Sequence, residues 1–425
     1  MIIFLAAFIV FLIIGVPISI SIGASAVLGC LSLGYPLVVI GQKMVSGIDS
    51  FLLIAVPLFI LAGNLMNAGK ITEKIFDTAK ELVGWIPGGL GHANVVASVI
   101  FAGMSGSAVA DAGGLGAIEM EAMKKNGYDE EFAGAVTAAS SVIGPIFPPS
   151  IPLIIYGSVA SVSVDKLFMG GVVPGLLMAG LLMIMVFIFA VIRKYERHPF
   201  RLRALIRQFL GSILALITPL IILSGFTLGW FTPTEASSVA VIYSLIIALL
   251  VYRTLDRKSF VKCLKDSAIS SANTLFIIGT STLFTYVMAM EGISKQISGF
   301  VLGISSDVHV ILLVINILLL LLGMVMEPGA ILTLMLPVLL PIANQLDLNL
   351  VHFGVMVVLN LMIGQVTPPF GVCLFVISDV NKLKLESLYK SILPFLVPLL
   401  LTLFAVTYFP SLVTFLPELL LGAGT

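Results

Sequence analysis

The feature that most constrains this chain is an apolar run that carries its own helix breakers. No charged residue lies between Glu131 and Asp165, and residues 144–150 near the middle of the run read Gly-Pro-Ile-Phe-Pro-Pro-Ser. A run of this length can cross a bilayer, but Pro148 removes the hydrogen bond that the Gly144 carbonyl would accept in a helix. Hydrocarbon cannot satisfy that carbonyl. The run therefore predicts a discontinuous membrane helix whose unwound segment faces protein, water or a cation.

The same pattern occurs again 220 residues further along the chain. Residues 364–370 read Gly-Gln-Val-Thr-Pro-Pro-Phe, where Pro368 frees the carbonyl of Gly364. The same offset relates other glycine-containing positions: Gly103-Met104 with Gly323-Met324, and Gly134 with Gly354. This regularity indicates an internal duplication, and duplicated discontinuous helices are typical of secondary transporters.

Composition places both patterns in a membrane. Hydrophobic residues make up 59% of the chain and charged residues 10%, with a mean hydropathy of +1.16, whereas soluble chains carry roughly 25% charged residues. The formal net charge of zero gives no reason to expect nucleic-acid binding. The apolar N-terminus lacks a basic n-region and a clear cleavage site, so we interpret it as a retained membrane helix. The scattered cysteines have no metal spacing and read as small apolar residues: Cys30, Cys263 and Cys373.

Basic clusters set the predicted topology. One cluster runs from Arg193 to Arg207 and another from Arg253 to Lys265. The positive-inside rule places both loops in the cytoplasm. Each half is then predicted to cross the membrane five times, and an odd number of crossings turns the second half upside down. The sequence therefore predicts an all-α polytopic membrane protein of two inverted-topology repeats, with both termini outside.

Each predicted repeat contains scaffold helices, an interfacial helix, a re-entrant hairpin, a broken helix and a final span. In the first repeat, 1–200, these are 1–66, 70–83, 88–125, 128–159 and 167–192. In the second repeat, 201–425, they are 209–290, 291–303, 308–345, 350–377 and 391–416. Two ordinary spans remain an alternative to the first hairpin, because hydropathy separates these cases poorly.

Two cation sites are predicted where hairpin tips and broken helices converge near the bilayer centre. Carbonyls released by proline or glycine are oxygen ligands suited to a hard cation. The first site consists of Ser105, Ser107, Gly144, Phe147 and Pro149. The second consists of Val325, Glu327, Gly364, Thr367 and Pro369. Na⁺ is the predicted ion in both, because no intramembrane chain of Asp, Glu and His indicates a proton relay. Close helix packing is the alternative for the individual glycines and serines.

Polar residues near the breaks are candidates for substrate binding. Ser140 and Asn360, which are partners in the repeat, stand one helical turn before the two breaks. Thr137 and Asn64 are weaker candidates. Satisfaction of polar groups within the core is the alternative for all four.

Two acids stand near the predicted hairpin tips. Each could be a functional group at membrane depth or a solvated residue at the water-filled end of its hairpin, and for Asp111 we favour the second. Glu327 falls opposite Ser107 in the repeat, so we expect it to be a functional group at membrane depth.

An enzyme and a passive channel are the rival classes. Residues 103–106 match the G-x-S-G pattern of rhomboid-type intramembrane serine proteases, with Ser105 as nucleophile. Such proteases need a histidine base, and His352 is the candidate nearest to membrane depth, at the start of a span. Reaction of Ser105 with a fluorophosphonate probe would separate protease from transporter. The paired hairpins indicate an alternately opened site and so argue against a channel.

Three motifs resemble the large membrane subunit of the TRAP transporters, the tripartite ATP-independent periplasmic family. They are Gly-Met-Ser-Gly-Ser-Ala-Val-Ala-Asp at 103–111, the breaker at 144–150, and Gly-Met through Pro-Gly at 323–329. The resemblance covers essentially the whole chain. It implies a bacterial inner-membrane importer of organic acids, such as sialic acid or C4-dicarboxylates, driven by at least two Na⁺.

The resemblance also implies partners and a mechanism. The implied partners are a small four-helix membrane subunit, expected as a separate chain, and a periplasmic substrate-binding protein. The implied mechanism is an elevator, in which the hairpins and broken helices move as a transport domain against the scaffold. A binding-protein-independent symporter of divalent anions and Na⁺ is the alternative carrier.

Overall fold

The chain folds almost entirely into helices. The computed structural model describes residues 2–195, 197, 199–227 and 229–422, except for the side chains of residues 2, 3, 104, 105, 223, 226 and 227. Over these residues it contains helices and no strand. Eight of the described helices are long and apolar enough to cross a membrane. The prediction of an all-α polytopic membrane protein is thus confirmed.

Eleven of the helices belong to the first half of the chain. They are α1 (Ile2–Ile14), α2 (Ile18–Ser32), α3 (Leu37–Ile48), α4 (Ala55–Ala68), α5 (Ile71–Val83), α6 (Gly89–Ser105), α7 (Ala108–Gly113), α8 (Leu115–Lys125), α9 (Glu130–Ser141), α10 (Ile151–Ala160) and α11 (Val164–Arg193). A 3₁₀ turn over Phe51–Ile54 leads into α4.

The described part of the second half contributes ten helices. They are α12 (Leu202–Thr227), α13 (Pro233–Ile246), α14 (Arg257–Met290), α15 (Ile293–Ile304), α16 (Val308–Val325), α17 (Pro328–Gln345), α18 (Leu350–Gly364), α19 (Val372–Asn381), α20 (Leu385–Tyr408) and α21 (Ser411–Leu421). A π-helical turn over Ile247–Val251 extends α13.

The two halves present their helices in the same order. A short helix, α5 or α15, precedes a hairpin, which is formed by α6 to α8 or by α16 and α17. A broken helix follows, α9–α10 or α18–α19. Backbone details repeat as well: Gly127 and Asp347 precede the two broken helices with φ of +78° and +53°, and the Pro148-Pro149 and Pro368-Pro369 peptide bonds are both cis.

The helices pack into two groups that meet at the centre. In the first group, α14 packs against α2, α3 and α4, and α4 packs against α13. In the second group, each hairpin packs against the broken helix that follows it, through α8 on α9 and α16 on α18, while α20 packs against α9 and α11. Helices α4 and α14 contact the hairpins, α4 through α6 and α14 through α17. We call α1–α4 and α12–α14 the scaffold group.

Helix α3 lies within the predicted scaffold segment 1–66, and none of its residues is buried. Two expectations about individual helices are wrong. The single last span at 391–416 is two helices, because Pro410 cannot continue α20 and instead stands as the N-cap residue before α21. Helix α14 begins at Arg257, inside the predicted basic loop from Arg253 to Lys265, since the Asp256 carboxylate accepts a hydrogen bond from the Ser259 N–H at 3.1 Å and caps it. The predicted basic loop therefore forms its first turns.

Candidate functional site

A cavity of about 350 Å³ lies where the two hairpin tips meet the scaffold group. One wall consists of polar residues of α4 and α14: Asn64, Asn67, Ser270 and Thr274. The opposite wall consists of the first tip at 106–110, the second tip at 327–329, the start of α10, and Met362 and Gln365 beside the second break. A volume in the range of about 300–1,000 Å³ is typical of sites for small molecules.

The scaffold wall is held by hydrogen bonds within the scaffold and to α5. The Asn64 amide donates to the Ser267 hydroxyl at 2.8 Å, and the Asn67 carbonyl oxygen accepts from the Thr72 hydroxyl at 2.7 Å. Asn64 was predicted as a substrate-binding candidate and does line the cavity. Asn67 was missed, although its spacing of three residues from Asn64 places both on one helix face.

Two further cavity residues, both on α14, were also missed. Ser270 and Thr274 are four residues apart, so they share a face of an otherwise apolar helix. The second break also contributes Gln365, which was not predicted. The four-residue spacing of Ser270 and Thr274 could have shown that they share a helix face. Nothing in the sequence shows that this face meets a cavity.

The first hairpin tip touches the first break. Ser107 lines the cavity, and its hydroxyl accepts from the Ala110 N–H at 3.4 Å at the start of α7. Gly106 has a φ of +60°, and a Cβ at that position would stand 2.8 Å from the Pro149 carbonyl oxygen. The absence of a side chain therefore allows the contact between tip and break. Ser105 ends α6, and its side chain lies outside the described part of the chain.

The first break itself is buried. Gly144 lies so close to the Asp111 carboxylate that a Cβ on Gly144 would clash with Asp111 Oδ2. Asp111 is 2% exposed, so the expectation that it stands at the water-filled end of its hairpin is wrong. Phe147 is also buried, with its ring against Gly175 of α11. The structure thus brings Asp111, which was not among the predicted ligands, next to the first predicted site.

The second predicted site is more open, and its carbonyls have protein partners. The Gly364 carbonyl accepts from the Thr367 N–H at 3.1 Å, and the Pro369 carbonyl accepts from the Tyr389 hydroxyl. The Thr367 hydroxyl donates to the Ile363 carbonyl at 2.7 Å. The inference that Pro368 leaves the Gly364 carbonyl without a partner is therefore wrong. A carbonyl oxygen has two lone pairs, so a hydrogen bond leaves room for a second contact.

The second tip carries the charge of the cavity. Glu327 is exposed in the cavity and stands at the N-terminus of α17, while Val325 ends α16 and is 51% exposed. Glu327 is the one charged residue in the described lining. Among the described residues no three His, Cys, Asp or Glu side chains cluster as metal ligands. A cation here would be held by carboxylate, hydroxyl and carbonyl oxygens, which suit a hard ion.

Three of the predicted substrate-binding residues lie outside the cavity lining. Thr137, Ser140 and Asn360 are buried and hydrogen-bonded to the first arms of the hairpins. This arrangement favours the packing interpretation of these side chains, and a contact with substrate stays a prediction.

The fold and the central cavity define a polytopic membrane protein with a polar site between its hairpin tips and scaffold group. The model of one family, described as the tripartite ATP-independent periplasmic transporter, DctM component, matches residues 5–412, and the chain belongs to this family.

The relatives agree with this membership. The chain is 45% identical to the sialic acid TRAP transporter large permease protein SiaM of Vibrio cholerae, over 90% of each chain. It is also 45% identical to the sialic acid TRAP transporter permease protein SiaT of Haemophilus influenzae, over 89% of this chain and 62% of that one. The crystal structure of the Alcanivorax borkumensis YdaH transporter, described as having an unusual topology, superposes with a TM-score of 0.64 over 87% of this chain and 88% of that chain at 13% identity, which supports the fold.

Membership in a family of transport permeases means that the protein is not an enzyme. The serine-protease interpretation of residues 103–106 is therefore wrong. His352 has a packing role, since its Nε2 lies 2.7 Å from the Val406 carbonyl oxygen.

Proposed function

We propose that this protein couples the import of an organic acid of the sialic acid type to the entry of Na⁺ across a bacterial inner membrane. The observation that carries the proposal is the cavity between the scaffold group and the two hairpin tips. It joins elements of both halves of the chain, as expected for the central site of a transporter built from inverted repeats. Both termini would then lie in the periplasm.

The charge of the cavity supports coupling to a cation. An organic acid would enter a site that already holds the Glu327 carboxylate and whose described lining has no Lys, Arg or His. Two like charges at close range in a site of low dielectric repel strongly. A bound Na⁺ beside Glu327 would remove that repulsion, which explains why the anion would bind together with the cation.

The polar groups of the cavity support recognition of a carboxylate and hydroxyl groups. Helix α10 begins at the cavity, and Ile151 and Pro152 of its first turn belong to the lining. The N-terminus of a helix is electropositive and favours an anion. Asn64, Asn67 and Thr274 on the opposite wall offer hydrogen bonds to a polyhydroxylated acid such as sialic acid. Relatives that are named for sialic acid support this substrate class.

The two Na⁺ ions would bind at the two breaks with their hairpin tips. The first site would use Ser105, Ser107, Gly144, Phe147 and Pro149. The second would use Val325, Glu327, Gly364, Thr367 and Pro369. The contact of Gly106 with the Pro149 carbonyl supports the first site, and the exposure of Glu327 in the cavity supports the second.

The proposed mechanism is an elevator. Hairpins and broken helices pack with one another and meet the scaffold group across the cavity. A displacement of this group against the scaffold group would move bound substrate and ions across the membrane. A small membrane subunit would extend the scaffold, and a periplasmic binding protein would deliver the substrate, in keeping with the word tripartite in the family description.

Reconstitution tests the sodium coupling. The protein would be placed in liposomes with its small subunit and binding protein, and uptake of labelled sialic acid would be followed under an inward Na⁺ gradient. Uptake should fall to background when K⁺ replaces Na⁺. Equal uptake in K⁺ would refute the coupling.

Two further arms separate the alternatives. Omitting the binding protein should abolish uptake, whereas a binding-protein-independent symporter would keep transporting. The substrate class is tested by thermal stabilisation of the binding protein with a panel of organic acids. Stabilisation by C4-dicarboxylates and not by sialic acid would change the substrate but leave the sodium coupling standing.

A further inference from the structure

Two buried asparagines occupy corresponding places in the two hairpins. Asn94 lies on α6, the first arm of the first hairpin, and Asn316 lies on α16, the first arm of the second. Both are buried, at 0% and 8% exposure. Neither belongs to the lining of the cavity. An amide buried at membrane depth is costly unless it is hydrogen-bonded, so its partners indicate its purpose.

Each asparagine binds the broken helix one turn before the break. In the first half, the Asn94 amide donates to the Thr137 hydroxyl at 2.8 Å, and the Ser140 hydroxyl donates to the Asn94 carbonyl oxygen at 2.6 Å. In the second half, the Asn360 amide donates to Asn316 Oδ1 at 2.7 Å and to its backbone carbonyl at 2.9 Å. Ser140 and Asn360 each stand four residues before the glycine that opens a break.

The second network reaches a third helix. The Asn316 amide donates to the Thr407 hydroxyl of α20 at 2.9 Å, and that hydroxyl donates to the Leu403 carbonyl of its own helix at 2.8 Å. We call the two sets of bonds the hairpin clamps; the first joins Asn94, Thr137 and Ser140, and the second joins Asn316, Asn360 and Thr407.

The clamps fix the register between arm and broken helix. Apolar contacts can be made in more than one register, whereas a buried amide has one position in which its donors and acceptors are satisfied. Sliding an arm by one helical turn, about 5.4 Å, would separate Asn94 from both of its partners. Two to three turns of rigid helix connect each clamp to its tip, so the clamp sets where the tip meets the break.

We propose that Asn94 and Asn316 are positioning residues that make each hairpin tip and its break travel together as one body. The inference rests on the proposed Na⁺ coupling, since the two sides of each Na⁺ site would come from a tip and a break. The residues touch neither ion nor substrate in this proposal, and they act through the contact that they maintain.

The test uses the complete reconstituted complex and two readouts. The variants are Asn94→Ala and Asn316→Ala, and the swapped pair Asn94→Ser with Ser140→Asn, which restores an amide–hydroxyl bond. Thr402→Ala is the matched control, because Thr402 is equally buried but its hydroxyl donates to Pro398 of its own helix. The readouts are the Na⁺ concentration that gives half-maximal uptake and the amide hydrogen exchange of the hairpin tips.

We expect Asn94→Ala to raise the half-maximal Na⁺ concentration about threefold to tenfold, the range given by one or two interhelical hydrogen bonds in a membrane. Exchange at the first tip should rise while exchange in α11 stays unchanged. The swapped pair should restore both readouts, and Thr402→Ala should alter neither.

Unchanged Na⁺ dependence and unchanged tip exchange in Asn94→Ala would overturn the inference, and so would a loss of thermal stability without faster exchange at the tip. If Asn316→Ala fails to fold, Thr407→Val removes one bond of the second clamp and is read in the same way. If uptake by the wild-type complex does not depend on Na⁺, the proposed function fails. Amide hydrogen exchange at the tips, compared between the clamp variants and Thr402→Ala, still decides whether the clamps position the tips.

Discussion

The two breaks share a sequence pattern but have opposite surroundings. Every residue of the first break, 142–150, is buried, and the Ser150 hydroxyl donates to the Pro145 carbonyl while accepting from the Leu153 N–H at 3.2 Å. In the second break, Pro369 is exposed and Phe370 is 52% exposed. There the Pro369 carbonyl accepts a hydrogen bond from the Tyr389 hydroxyl of a separate helix.

The difference shows that neighbouring helices decide what a duplicated break becomes. Helix α11 covers the first break so closely that a Cβ on Gly171 would clash with the Ile146 carbonyl. Helix α20 reaches the second break through the Tyr389 side chain. If both breaks bind Na⁺ as proposed, the first ion would be enclosed by protein and the second would be more accessible. Four predictions test this difference at the two breaks and their hairpin tips, beginning with the largest effect.

Replacing both prolines of a break by alanine is expected to have the largest effect. Alanine restores the missing N–H groups and favours a continuous helix, which would withdraw the carbonyls. In the buried first break, Pro148→Ala with Pro149→Ala should abolish Na⁺-dependent uptake. In the exposed second break, the same change at Pro368 and Pro369 should leave measurable transport. Uptake into proteoliposomes checks this, with membrane insertion of both variants as the control. Equal residual transport would show that burial does not distinguish the breaks.

Alanine at the two break glycines should give the reverse order. A Cβ on Gly364 would lie 2.6 Å from the backbone carbonyl carbon of Gly323, which cannot move without separating α16 from α18. A Cβ on Gly144 would meet the end of the Asp111 side chain and no backbone atom as closely. We expect Gly364→Ala to cost about 3 kcal/mol of stability and Gly144→Ala about 1 kcal/mol.

Thermal unfolding of the purified protein measures both costs. Gly180→Ala is the matched control, since a Cβ there would have no neighbour within 4 Å. A larger cost for Gly144→Ala than for Gly364→Ala would mean that Asp111 is held rigidly against the first break.

Much of this arrangement could be predicted because proline and glycine act on their own backbone. The pattern at 144–150 breaks a helix whatever surrounds it, so both breaks and their spacing follow from the chain alone. Glu327 was placed in the site by its offset from Ser107, and it does line the cavity. The all-helical fold follows in the same way from apolar runs and their interruptions.

What the sequence did not reveal depends on which helix faces meet. Asp111 was expected near water, but its burial results from the approach of the first hairpin to Gly144. Ser140 and Asn360 were candidates for substrate binding or for satisfaction within the core, and the arms beside them carry the asparagines that bind them. The sequence of an apolar helix does not show which of its polar residues will meet a polar residue on a neighbouring helix. Hydrogen-bonded pairs between helices can therefore be identified only from the tertiary structure.

The two hairpin tips should differ in their effect on sodium affinity. They place a hydroxyl, Ser107, and a carboxylate, Glu327, at corresponding positions on the cavity. Contacts to an ionised group are roughly twice as strong as neutral ones. Glu327→Gln should raise the half-maximal Na⁺ concentration for uptake about tenfold, equivalent to about 1.4 kcal/mol, and Ser107→Ala about threefold. The exposed Glu418→Gln is the control. An unchanged Na⁺ dependence in Glu327→Gln would remove this residue from the second site.

The smallest difference concerns the two hydroxyls that donate to carbonyls within the breaks. Ser150→Ala leaves the buried Pro145 carbonyl and the N–H of Leu153 without this partner, so a loss of about 1–2 kcal/mol is expected. Tyr389→Phe removes the partner of the Pro369 carbonyl at an exposed position, where water can replace it, and should cost less than about 1 kcal/mol. Thermal unfolding of the two variants measures this difference directly. Equal costs would contradict the open character of the second break, because a carbonyl that water reaches does not depend on one tyrosine.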